Sequence, residues 1–66
     1  MRITVNGEQR EVESSLTVAQ LLKKYDLAPL RVAVEINREL VRRARFDEAY
    51  LAEGDVVEIV TLVGGG

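Results

Sequence analysis

Three consecutive glycines, Gly64-Gly65-Gly66, close the sequence directly after the apolar run Val56 to Val63. The chemistry they offer is that of a terminal carboxylate held away from a fold. Glycine lacks a Cβ, so such a stalk can enter a slot too narrow for other residues. Extended backbone advances 3.3–3.6 Å per residue, so three glycines carry the carboxylate roughly 10 Å outward. That carboxylate has a reference pKa of about 3.5, is ionised at neutral pH and is a poor acyl donor. Nothing else in the chain can activate it. There is no cysteine and no histidine, which removes disulfides, thiolate metal sites, a persulfide or thioester on the chain's own side chains, and the commonest general base. Ser14 and Ser15 therefore lack a histidine to activate them, and local turn capping accounts for them. Glu11 and Glu13 lie two apart on an expected strand and share a face. A catalytic carboxylate pair needs a cleft that shifts one pKa, so a solvated edge is the better account. No glycine-rich segment precedes a helix, so no phosphate-cradling loop is on offer. The inventory describes a carrier end that other proteins work on, set against the ordinary alternative of a frayed terminus.

The totals agree with a single small domain. Sixty-six residues bury only about 60% of the surface their unfolded chain exposes. An apolar share of 47% and a charged share of 30% are those of a soluble globular domain, and a net charge of −2 argues against nucleic-acid and membrane partners. Five of the nine basic residues nevertheless gather between positions 31 and 45, as Arg31, Arg38, Arg42, Arg43 and Arg45. Stacking aromatics are not interleaved with them, which leaves docking to an acidic protein surface or a solvated edge. The opening residues lack the apolar core of a signal peptide, and no apolar run approaches a membrane span. The expected setting is the cytoplasm, with no bound cofactor and no metal.

The elements that must position the tail are legible in order. Ile3 and Val5 alternate with polar neighbours, and Asn6-Gly7 favours a tight hairpin turn into a second strand over Arg10 to Glu13, with Val12 pointing inward. Val18, Leu21, Leu22 and Tyr25 fall at i, i+3, i+4 and i+7, the stripe of an amphipathic helix. Thr17 is its expected N-cap, Gln20 completes a capping box and Leu16 can staple onto Leu21. Pro29 sets the end of the helix near Asp26 or Leu27. Val32, Val34 and Ile36 form a third strand, Asn37-Arg38-Glu39 a turn and Leu40-Val41 a short return. Phe46, Tyr50 and Leu51 anchor an irregular connection, Gly54 takes a positive φ, and Val56 to Val63 is the last and longest strand. Its near-continuous apolar content predicts a central position covered at least partly on both faces. If Val57 and Ile59 face the helix, then Val56, Glu58, Val60 and Leu62 face the other way. They either form a partner-binding patch or lie beneath the connection Phe46–Leu51. With the first and last strands adjacent at the centre and the helix across one face, this is an α+β roll of the β-grasp (ubiquitin-like) kind. It holds a mixed sheet of four to five strands, with the domain over 1–63 and a flexible glycine tail over 64–66.

Several of these segments resemble one family over the whole chain. Asn6-Gly7 after a first strand, Thr17-Val18 opening a helix with Leu21-Leu22, Val32-Ala33-Val34-Glu35-Ile36-Asn37, Glu53 to Val60 and the glycine terminus are together similar to the bacterial sulfur carriers of thiamine biosynthesis, the ThiS family. Two departures stand out. Arg42 occupies a position that is often proline in the family, which bears on the fit of a loop, and a third glycine, Gly64, precedes the usual terminal pair. The resemblance implies a protein that is a co-substrate and not an enzyme. It implies that Gly66 bears first an acyl adenylate and then a thiocarboxylate, with Gly64 and Gly65 as the tail entering partner active sites. It also implies three partners: a ThiF-like activating enzyme that consumes ATP, a persulfide sulfur donor and a ThiG-like thiazole synthase. Val56, Glu58, Val60, Leu62, Arg42 and Arg43 are the candidate partner surface. Carriers for molybdopterin or tRNA thiolation share this fold and tail, as do covalent protein modifiers, and both remain as alternatives.

Overall fold

The structure is a computed structural model and describes residues 1–62. The tail Gly64–Gly66, together with Val63, lies outside the described residues. In chain order the elements are β1 (Arg2–Val5), β2 (Glu8–Glu11), α1 (Val18–Lys24), a 3₁₀ turn (Pro29–Arg31), β3 (Val32–Ile36), β4 (Glu39–Val41), a second 3₁₀ turn (Arg43–Arg45) and β5 (Val56–Thr61). The five strands form one sheet in the order β2-β1-β5-β3-β4. The two hairpins and the β3–β5 pair are antiparallel, whereas β1 and β5 run parallel. β5 is thus central, with β1 beside it as the alternation implied.

The two hairpins use the same device. Asn6 and Gly7 have φ of 49° and 84°, and Asn37 and Arg38 have 51° and 71°. Positive φ at both central residues defines the tight turn whose twist matches the flanking strands. This turn starts β2 at Glu8, earlier than the apolar anchor Val12 suggested. Val12 is buried, and its N–H still pairs with the Met1 carbonyl at 2.8 Å. It also places Glu39 in β4 and not in the turn. Space around Gly7 and Gly54 is open, so it is their positive φ, not crowding, that calls for glycine there.

Helix α1 begins as the sequence indicates. Thr17 Oγ1 accepts from the Gln20 N–H at 3.2 Å, and Gln20 Oε1 accepts from the Thr17 N–H at 2.9 Å, which satisfies two of the donors a helix start leaves free. Thr17→Ala should therefore cost about 1 kcal/mol, read as a melting temperature lower by about 4–8 °C. The helix ends earlier than Pro29 alone would require. Asp26 turns to φ 58°, the Asp26 N–H donates to the Lys23 carbonyl at 3.0 Å, and the Leu27 N–H reaches back to the Leu22 carbonyl at 2.9 Å. These two bonds and the left-handed residue make a Schellman ending, with aspartate in the place glycine usually takes.

The helix lays Val18, Leu21 and Leu22, all fully buried, on Ile3, Val34 and Val57 of the sheet. Phe46 and Leu51 complete the core from the connection, which is tied to the helix start by bonds from the Val18 N–H to the Ala49 carbonyl and from the Leu51 N–H to the Leu16 carbonyl. Tyr50 departs from its expected role as an anchor and is 64% exposed. No helix among the described residues is long and apolar enough to cross a membrane.

Candidate functional site

The site is the end of β5 and the sheet face around it, because β5 leads into the glycine tail. Along β5 exposure alternates: Val57 and Ile59 are buried against the helix, while Val56, Glu58 and Val60 are exposed. Coverage on both faces, expected from the apolar run, is therefore absent. The connection Phe46–Leu51 lies on the helix side, so it does not cover the other face. Val56, Val60 and Leu62 remain 45%, 57% and 50% exposed, and the first of the two sequence alternatives holds.

Register adds residues that the sequence pattern did not single out. Across β3 and β5, Ala33 lies opposite Val60 and Glu35 opposite Glu58, and across β3 and β4 Glu35 lies opposite Leu40. Residues directly opposite share a face, so Leu40, itself 67% exposed, joins the apolar patch. The patch then surrounds two facing carboxylates. Among the described residues, neither Glu35 nor Glu58 takes part in an ion pair, whereas Glu11 pairs with Arg2 and Glu13 with Lys24. The alternation of β3 could have placed Glu35 on the open face, but only cross-strand register puts it against Glu58. Like charges directly opposite are destabilising. Glu58→Lys should therefore stabilise the fold by about 0.2–1 kcal/mol, seen as a higher urea midpoint that shrinks in high salt.

Glu11 and Glu13 have no catalytic setting. Glu13 is held below the ordinary glutamate range by a hydrogen bond from its own backbone N–H and then by the Lys24 ammonium, which favours the ionised form. Arg42 follows β4 in extended backbone and Arg43 opens the second 3₁₀ turn. Both are exposed, and of the basic cluster only Arg45 has an acidic partner among the described residues, Glu48 at 2.8 Å.

The root of the tail is braced on both sides. On the β3 side, Thr61 lies opposite Val32, and the Leu62 N–H donates to the Arg31 carbonyl at 2.8 Å. On the other side β1 turns away after Val5, and the Asn6 side chain takes over. Asn6 Oδ1 accepts from the Ile59 N–H at 2.7 Å and Asn6 Nδ2 donates to the Ile59 carbonyl at 3.1 Å. A cleft of about 210 Å³ opens beside this clamp, between Asn6, Tyr25, Leu27 and Thr61.

This sheet order, the single helix laid on one face and a central strand leading to the tail define a β-grasp, ubiquitin-like domain. Comparison with known proteins narrows the class. The ThiS family model matches residues 3–66, and the chain belongs to the ThiS family. A crystal structure of a thiamine biosynthesis protein (ThiS) from Geobacter metallireducens superimposes with a TM-score of 0.86 at 39% identity, covering all of both chains. The sulfur carrier protein ThiS of Bacillus subtilis is 44% identical over 50 residues, 76% of each protein. The thiazole synthase of Paramagnetospirillum magneticum is 38% identical over all 66 residues, which span only 20% of that protein. A thiazole synthase of Magnetococcus marinus shows the same relation at 39% identity.

Proposed function

We propose that this chain is a sulfur carrier of thiamine biosynthesis whose Gly66 carboxylate is the working group. The observation that carries the reading is the match to the ThiS family through residue 66, so that the glycine end is part of what is matched. In the reading, an activating enzyme of the ThiF kind joins the carboxylate to AMP from ATP, with pyrophosphate leaving. A persulfide then delivers sulfur to the carbonyl carbon as AMP departs, and the resulting thiocarboxylate gives its sulfur to a thiazole synthase. The chemistry requires outside help at each step, because a chain without cysteine or histidine can neither activate an ionised carboxylate nor store sulfur on a side chain. Thiazole synthase as the acceptor is supported by the two relatives in which a segment similar to this chain makes up a fifth of a protein of that name. Division into a domain over 1–63 and a tail over 64–66 belongs to the same proposal. So does docking through Val56, Glu58, Val60, Leu62, Arg42 and Arg43 in the cytoplasm, with no cofactor bound by the carrier itself.

Intact mass of the untagged protein from its own host, grown with and without thiamine, tests the reading. One oxygen-to-sulfur exchange located at Gly66, declining when thiamine is supplied, is the expected result. Exchange indifferent to thiamine would redirect the sulfur to molybdopterin or tRNA thiolation. High-mass conjugates on a denaturing gel would instead mark a covalent modifier.

A further inference from the structure

We infer that Asn6 is a positioning residue that sets the line along which β5 hands the tail to a partner, a role that rests on the carrier reading above. The observation is the asymmetric support of β5. From Val56 to Val57 the strand is paired on both sides, to β1 and to β3. Beyond Val57 no strand remains on the β1 side. There the carboxamide of Asn6 stands in for one, accepting from the Ile59 N–H at 2.7 Å and donating to the Ile59 carbonyl at 3.1 Å. A side chain thereby reproduces both bonds of a strand neighbour, and two-sided support reaches two residues further toward the tail. The turn makes this possible, because Asn6 sits at φ 49°, which asparagine tolerates better than most residues.

Asn37 supplies an internal control. It occupies the matching position of the other hairpin at φ 51°. There its Oδ1 accepts from the Val56 N–H at 2.9 Å and its Nδ2 donates to Asp55 Oδ1 at 3.0 Å. The two asparagines thus brace the same strand at opposite ends with the same group, and only Asn6 stands toward the tail.

Direction matters at that end because the lever is long. Seven residues separate Ile59 from Gly66, a reach of up to about 23 Å when extended. Over such a reach a tilt of roughly 5° moves the far end by roughly 2 Å, and misplacement of about 1 Å at a reacting group can cost up to about 10²-fold in rate. Binding of the body to a partner does not pass through Asn6, so loss of the clamp should slow the chemical step and leave docking alone.

The test compares Asn6→Gly with Asn37→Gly in the full chain. Glycine keeps the positive φ of each turn, so both variants retain their hairpins. Adenylation by the activating enzyme is followed as ATP–pyrophosphate exchange against carrier concentration. Amide hydrogen exchange at Ile59 reports the clamp directly. For Asn6→Gly, the expectation is faster exchange at Ile59, a kcat roughly tenfold lower and a KM within about twofold of wild type. Asn37→Gly should leave both kinetic constants unchanged. An unaltered kcat in Asn6→Gly, a rise in KM alone, or equal losses in the two variants would each overturn the positioning role. Failure of the wild-type chain to be adenylated at all would overturn the carrier reading and this role with it, and shows in the wild-type control alone.

Discussion

Gly65→Val is expected to leave the fold intact and to abolish adenylation by the activating enzyme. The first half follows from where the substitution falls. Every core residue lies between Ile3 and Ile59, and the last strand ends at Thr61, so the change is remote from packing, and substitutions away from such features cost within about 0.5 kcal/mol. The second half follows from the slot. A carboxylate on a bare glycine backbone can pass where a β-branched side chain cannot, and valine is stiff as well as wide. Circular dichroism and melting temperature should match wild type while ATP–pyrophosphate exchange falls to background. Normal turnover by the variant would sink the slot argument and, with it, the reason for a run of glycines.

The architecture was largely legible in the sequence because each of its signals is local. Asn6-Gly7, the Thr17/Gln20 capping box, the alternation of Val32 to Ile36 and the long apolar β5 are readable within a few residues, and together they dictate the β-grasp order. Features set by distant partners were not legible. The apolar run of β5 looked two-sided because Val56 and Val60 carry no mark of exposure. Only the sheet, with its one helix and with Phe46 and Leu51 drawn to the helix side, leaves their face open. Tyr50 read as an anchor by type, yet its neighbours Phe46 and Leu51 fill the space. The facing of Glu35 and Glu58, and the clamp of Asn6 on Ile59, join residues 23 and 53 positions apart; strand pairing sets the first and a turn side chain the second. The helix end was missed for a different reason. A left-handed aspartate at Asp26 does the work of a glycine, and its type alone does not announce it.

Leu21→Ala should be the most damaging substitution within the folded body. Its side chain is fully buried on the only α-helix of the described residues, between that helix and the strands carrying Ile3, Val34 and Val57. Truncating a buried leucine removes transfer free energy and leaves a cavity, at a cost of about 2–5 kcal/mol. A domain of 66 residues holds a total of only about 3–10 kcal/mol, so the loss is comparable to everything available. The melting temperature should drop by about 10–25 °C, and near 37 °C a substantial part of the chain should be unfolded. Val60→Ala offers the contrast, since Val60 is as apolar but more than half exposed on the uncovered face; its melting temperature should barely move. The pair separates what the apolar residues of this chain do. Those beneath the helix hold the sheet together, and those opposite are free to meet a partner, so Val60→Ala should alter KM for the activating enzyme at unchanged stability. Leu21→Ala should instead lower the amount of competent carrier without changing the KM of the folded fraction. A Leu21→Ala chain as stable as wild type would mean that the helix is not what closes the core, and the assignment of the two faces would have to be reversed.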